Sequence, residues 1–221
     1  MEFVEKLRRK GCFRVTLRSL AGIVLVFGIW LGFVVRNSRV QRDAVSAIER
    51  AGGHVNYDGG PNSDVPSLRG KSRWPEWLKS LVGRDFFDSV TDVRLMGTNA
   101  SDAELTHIGH LPAVDSLVLS GQQMTNEGLA NIGRLRRMRG LIIELPSVTN
   151  DGIAHFRGLA SLEVLVIRNT PVTDDGLRNL MGLTNLQRLL LLDTRVTGSG
   201  VRRLKEALPR LKVERYSPSS P

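Results

Sequence analysis

The apolar positions of this chain recur at a fixed interval. Leu111, Leu135, Leu159 and Leu183 are 24 residues apart, Phe87 lies one period earlier, and Leu208 follows twenty-five residues later. From each anchor the same pattern runs on: L-x-x-L-x-x-L-x-L, a turn, then V-T-D/N-x-G-L-x-x-L. The copy at 159–182 is the clearest, with Leu159, Leu162, Leu165, Ile167, Val172, Leu177 and Leu180 at its apolar places. The pairs Leu117 and Leu119, Leu141 and Ile143, Leu165 and Ile167, Leu189 and Leu191 alternate with period two, which predicts short strands with those side chains inward. Leu177 and Leu180 have helical spacing. Each repeat should therefore be strand, turn, helix, and stacking them buries faces that no single unit could bury alone. The pattern predicts an α/β solenoid over 87–213, with a short parallel sheet on its concave face and helices on its convex face. Its repeats are 87–110, 111–134, 135–158, 159–182 and 183–207, and residues 214–221 are expected to form a disordered tail.

A different pattern occupies the N-terminal part. Residues 19–35 form an uncharged, mostly apolar run of seventeen bounded by Arg18 and Arg36. As a helix this run is about 25 Å long, slightly under the ~30 Å hydrocarbon layer of a bilayer. Trp30 and Phe33 lie near one end, where aromatic rings favour the membrane interface. The run lacks the small-residue ending of a cleaved signal, so we expect an uncleaved transmembrane helix and single-pass membrane association. Lys6, Arg8, Arg9, Lys10, Arg14 and Arg18 in the flank 1–18 outnumber Arg36, Arg39, Arg42 and Arg50 after the run. That bias places the N-terminus in the cytoplasm and the repeats outside the cytoplasmic membrane.

Residues 36–86 are expected to hold a juxtamembrane helix, a linker and an N-terminal cap. Val40, Ala44, Val45, Ala47, Ile48 and Ala51 are helically spaced and stop at Gly52-Gly53; Val55 and Tyr57 suggest a short strand. Residues 59–73 are rich in Gly, Pro, Ser and Asn and read as an irregular loop. Residues 75–82 read as a helix whose apolar side is Trp77, Leu78, Leu81 and Val82. This helix and the Val55 strand are expected to cap the first repeat, a role that explains Trp74 and Trp77 better than a ligand platform does.

Composition narrows the chemistry. The 221 residues are 41% hydrophobic and 24% charged but only 5% aromatic, so a single core should be largely aliphatic. The net charge of +9 would suggest a nucleic-acid or membrane partner. However, residues 1–50 hold ten Lys/Arg against four Asp/Glu, whereas 84–213 hold sixteen against fourteen. The basic charge thus belongs mainly to the N-terminal flank, and no nucleic-acid binding by the repeats is expected. Arg134, Arg136, Arg137 and Arg139 read as a solvated turn. Cys12 is the only cysteine, which rules out an intramolecular disulfide.

Ser101, Thr125, Thr149, Thr173 and Thr197 form a hydroxyl column before the helices, followed by Asp102, Asn126, Asn150, Asp174 and Gly198. A hydroxyl there can cap a helix and an acid suits the first turn, so structural caps are expected, not nucleophiles. Gly128, Gly152, Gly176 and Gly200 read as sites of close backbone packing. His107, His110 and His155 lack a cysteine or carboxylate to complete a metal set. No phosphate loop, nucleophile elbow or paired-acid motif occurs. We expect no catalysis, no metal and no small-molecule cofactor.

The 24-residue unit with its V-T-D-x-G-L segment resembles the bacterial internalin-like leucine-rich repeats. The basic N-terminus, the apolar run, A-I-x-x-x-G-G-x-V-x-Y-D at 47–58 and W-L-x-x-L-x-G-x-D-F-F at 77–87 resemble planctomycete proteins of that kind. The resemblance covers nearly the whole chain and implies a membrane-attached repeat protein with no catalytic residue to carry over. The third repeat departs from the pattern, with Glu144-Leu-Pro-Ser147 where the fourth has Arg168-Asn-Thr-Pro171.

Residues alternating with the buried leucines should face outward from the concave sheet. Arg94, Val118, Ile142, Val166 and Leu190 form the central column, and Met96, Ser120, Glu144, Arg168 and Leu192 the next. Four apolar members at a strand spacing of about 4.8 Å make a stripe roughly 14 Å long with a polar rim. The candidate partner-binding residues are Val118, Ile142, Val166, Leu190, Arg94, Glu144 and Arg168. The expected function is recognition of a protein partner at a membrane. The alternative is a passive structural part of the envelope whose β-branched stripe merely suits strands.

Overall fold

A computed structural model describes residues 17–57, 88–97 and 99–216. The flank 1–16 with Cys12, the loop 59–73, the helix expected at 75–82 with Trp74 and Trp77, the Phe87 anchor and residues 217–221 lie outside the described residues. The chain divides into two compact units, residues 1–37 and 38–221.

Helix α1 (Leu17–Arg50) is unbroken through the apolar run 19–35. Within it Val24, Leu25, Val26 and Ile29 are 62–67% exposed. Trp30 and Phe33 are among the side chains outside the described ones, and among the described residues no helix is long and apolar enough to cross a membrane.

The second unit is built on one seven-stranded sheet in chain order: β1 (His54–Tyr57), β2 (Val90–Leu95), β3 (Ser116–Ser120), β4 (Gly140–Glu144), β5 (Val164–Thr170), β6 (Arg188–Thr194) and β7 (Lys212–Tyr216). β1 is antiparallel to β2 and every later pairing is parallel. The connections carry α2 (Asp102–Ile108), α3 (Asn126–Ile132), α4 (Asn150–Ala154) with a 3₁₀ turn (His155–Gly158), α5 (Asp174–Arg178) and α6 (Gly198–Ala207). Leu117, Leu141, Leu165 and Leu189 stand in one register line and Leu119, Ile143, Ile167 and Leu191 in another, all fully buried. The 24-residue period is thus the distance along the chain between register neighbours. Phe156, Ile153, Leu159 and Leu180 fill the helix side of the same core. The fold is a parallel-sheet α/β solenoid of leucine-rich repeats.

The N-terminal end of this core is closed by the last part of α1. Ala44, Val45 and Ile48 pack into it, and Gln41 donates to the Asp88 carbonyl at 2.7 Å. The helix stops in a Schellman arrangement, with Gly53 N–H donating to Ile48 O at 2.8 Å and Gly52 N–H to Glu49 O at 2.9 Å. Gly52 sits at φ +86, where a glycine is favoured. A Cβ on Gly53 would strike the Leu95 side chain and come within 2.8 Å of Ile48 Cγ2, so the helix end lies tight against β2.

The hydroxyl column does more than cap. Ser101, Thr125, Thr149 and Thr197 accept a helix N–H, as expected, but Thr173 makes no such bond. The residue after each hydroxyl reaches into the next repeat. Asp102 accepts from Thr125 N–H at 2.8 Å and from its hydroxyl at 2.6 Å. Asn126 accepts from Thr149 N–H at 3.0 Å and donates to its hydroxyl at 3.0 Å. Asn150 does the same to Thr173, at 3.0 and 2.8 Å, and Asp174 accepts twice from Thr197 at 2.7 Å. Four rungs thus join five repeats.

The rungs explain the glycine column. A Cβ on Gly152 or Gly176 would lie 2.6 Å from the rung oxygen of Asn126 or Asn150, and one on Gly128 or Gly200 would strike Asp102 or Asp174. In the first repeat the equivalent position is Glu104, which closes a capping box with Ser101. Burial raises the Glu104 pKa, but donation from the Ser101 N–H and hydroxyl outweighs it and holds the carboxyl below its ordinary value.

One expectation is corrected here. Residues 214–216 are not tail but belong to β7, because the edge of β6 offers free backbone groups and Leu211 and Val213 still pack on the core. The third-repeat departure also has a defined structure. Asn169 and Asp193, each the last residue but one of its strand, take φ +47 and +52, as Gly97 does at +61 just beyond β2. Leu145 occupies the equivalent place in the third repeat and, like Gly121 in the second, does not take a positive φ. The Leu145 side chain is fully buried.

Candidate functional site: the outer face of the sheet

Parallel pairing places the outward residues in straight columns. Arg94, Val118, Ile142, Val166 and Leu190 are register neighbours on five adjacent strands, as the sequence predicts. β1 and β7 extend this column with His54 and Glu214. Ser120, Glu144, Arg168 and Leu192 form the second column, continued by Tyr216, and Met96 follows β2 at its end.

Exposure along the central column is uneven. Ile142 is 38% exposed and Val118 and Leu190 are half-buried, but Val166 is only 9% exposed. Val166 stands between the larger Ile142 and Leu190, so it supports the stripe and offers little surface of its own. The accessible apolar surface is thus centred on Ile142.

Charged residues flank the β2 to β5 part of this stripe in pairs. Arg94 donates to Asp92 Oδ2 at 3.2 Å; Asp92 is buried and its Oδ1 has no hydrogen-bond partner. Glu144 and Arg168, neighbours in the second column, approach to 3.9 Å. Arg139, expected in a solvated turn, instead grips Glu163 through two hydrogen bonds of 2.8 and 3.1 Å, and these with the Glu163 charge raise its pKa. The other three arginines of that cluster are exposed, as expected. Salt bridges of this kind contribute little to stability where solvent reaches them. Their effect here is to remove net charge from the rim.

A third column passed unnoticed in the sequence: Asp92, Ser116, Gly140, Val164, Arg188 and Lys212. Its signal was present as the positions two before each central-column residue. The missing β7 hid its last member. Among the described residues no group of three or more His, Cys, Asp or Glu could hold a metal ion.

No protein-family model matches the chain, and a comparison with curated proteins finds no match. Solved structures are similar to it. Internalin C2 from Listeria monocytogenes is 22% identical, with a TM-score of 0.42, over 55% of this chain and 59% of its own. The leucine-rich-repeat ectodomain of the receptor kinase SOBIR1 from Arabidopsis thaliana is 14% identical, with a TM-score of 0.46, over 81% of this chain and 92% of its own. A leucine-rich-repeat protein of Leptospira interrogans is 22% identical, with a TM-score of 0.38, over 49% of this chain. The match spans only 27% of the Leptospira chain.

Proposed function

We propose that this protein is a recognition module that binds a protein partner on the outer, concave face of its sheet and is held at a membrane by the apolar part of α1. The observation that carries the reading is the in-register column centred on Ile142: accessible apolar surface on a parallel sheet, with the Glu144 and Arg168 charges beside it paired with each other. Around Ile142 a partner gains apolar burial without stripping water from an unpaired ion. Val118, Ile142 and Leu190 make the contact, Val166 supports it, and Arg94, Glu144 and Arg168 line its rim.

The anchor reading rests on the uncharged run 19–35 within an unbroken helix and on the exposure of Val24, Leu25, Val26 and Ile29. The cation bias keeps the N-terminus in the cytoplasm and displays the repeats on the far side of the cytoplasmic membrane. In the domain plan, 1–18 is the flank, 19–35 the span, 36–86 the connector and cap, and 87–216 the repeats with their closing strand.

Affinity capture from detergent extract tests the function. Replacing Val118, Ile142 and Leu190 together by Thr should leave the thermal melt within a few degrees while removing a stoichiometric protein partner. Equal capture by both forms overturns the recognition reading and favours a passive envelope component.

A further inference from the structure

The two ends of the repeat array differ in charge. Residues 88–182 hold eight Lys/Arg against eleven Asp/Glu, whereas 183–216 hold eight against three. A near-neutral domain total conceals a cationic closing unit. On the outer sheet face the contrast is local: the charges named above on β2, β4 and β5 are matched, but Arg188 on β6 and Lys212 on β7 are not.

Arg188 and Lys212 are direct register neighbours, both exposed, and neither has an acidic partner among the described residues. Like charges side by side on adjacent strands oppose each other. An acid at either position would have removed that repulsion. Beside them on the same strands are Leu190 and Leu192, half-buried, and Glu214 and Tyr216, both exposed. The apolar stripe therefore ends on β6 and β7 beside two cations, a single carboxylate and an exposed aromatic ring, and a net positive charge remains there.

We infer that the partner segment is an acidic, aliphatic polypeptide stretch, with its carboxylates against Arg188 and Lys212 and its apolar side chains along Leu190 and Ile142. This rests on the proposal that the outer sheet face is the binding face and adds the chemical class of what binds. A nucleic acid fits less well. A phosphate chain would need cations along its path, and the face beyond β6 offers apolar residues and charges that are already neutralised.

Labelled full-length protein in detergent can be presented with an array of short random-sequence peptides. Peptides retained by the wild type should be enriched in Asp and Glu next to aliphatic residues. The double variant R188E/K212E should reverse that preference to Lys and Arg. It should also bind the acidic peptides at least about tenfold more weakly, the scale of a lost charge-assisted contact. R188Q/K212Q should abolish the preference without reversing it, and both side chains are exposed, so neither variant disturbs the core.

Retention with no acidic preference, or a preference that both double variants leave intact, overturns the inference. If V118T/I142T still removes such binding, the sheet-face reading survives that failure. Absence of any retained peptide overturns both. Capture of a single-stranded oligonucleotide through Arg188 and Lys212, insensitive to I142T, overturns it in favour of a nucleic acid.

Discussion

The repeats over 88–182 and the closing unit over 183–216 use the same strand and turn but depend on different forces. In the first region several polar groups find a partner one repeat away: Asp102, Asn126 and Asn150 serve the next threonine, Arg139 holds Glu163, and Arg168 approaches Glu144. In the second the series ends. Gly198 stands where a rung residue would be, β7 has one neighbour, and Arg188 faces Lys212. The interior of a solenoid is stabilised mutually, while its end has surface left over for other contacts.

The largest expected difference lies in the core. Leu141→Ala should cost about 2–5 kcal/mol because Leu141 is fully buried between β3 and β5. Val213→Ala, at a half-buried position of the otherwise exposed β7, should cost about 1 kcal/mol or less. Urea midpoints measure both, and equal costs would show that the end is as tightly held as the middle.

Glycine substitutions sharpen the contrast. Gly176→Ala puts a methyl group against the Asn150 rung and Val172, and should destabilise by about 1–3 kcal/mol. Gly198→Ala meets open space at the start of α6 and should be neutral or stabilising by up to ~1 kcal/mol, since glycine is the poorer helix former. A cost at Gly198 equal to that at Gly176 would refute the steric account.

The smallest effect is a pH dependence. Donation from the Thr197 hydroxyl and N–H holds the Asp174 carboxyl below its ordinary value, against a small opposing effect of burial. A carboxyl whose pKa falls on folding stabilises fully above its unfolded value, near 3.8, and loses that contribution as pH drops through the lower folded value. Asp174→Asn should keep the rung in the form used by Asn126 and Asn150. Stability curves of the two proteins should therefore converge in acid below about pH 4 and separate above it; parallel curves would remove Asp174 from the pH response.

Much of this architecture was legible in the residues because burial demands periodicity. Leucines 24 apart can line one core only if strands stack in register, so strands, helices and outward columns followed. The rungs were not legible, since an Asp or Asn after a hydroxyl looks the same whether it serves its own helix or the next one. The clue was the glycine column, present where a rung residue precedes it by 26 positions and replaced by Glu104 where none does. The capping role of α1 escaped because helical spacing identifies an apolar face but not what covers it. Val166 was misjudged for a related reason: its exposure depends on the bulk of Ile142 and Leu190, not on its own parity in the strand. β7 was missed because Lys212, Glu214 and Arg215 disguise a strand that only its neighbour stabilises.

The rungs also have a direction. Each acceptor points toward the C-terminus, each receiving threonine brings its own glycine, and the chain carries distinct residues, Glu104 and Gly198, where the series starts and stops. A 24-residue block taken from the middle therefore presents matching joints at both ends, whereas one appended beyond α6 would meet Gly198 and find no joint. Such a molecule can change length by internal duplication or loss while its two terminal pieces stay fixed, and the span of its outer face, hence the length of partner it accommodates, is open to change in steps of one strand.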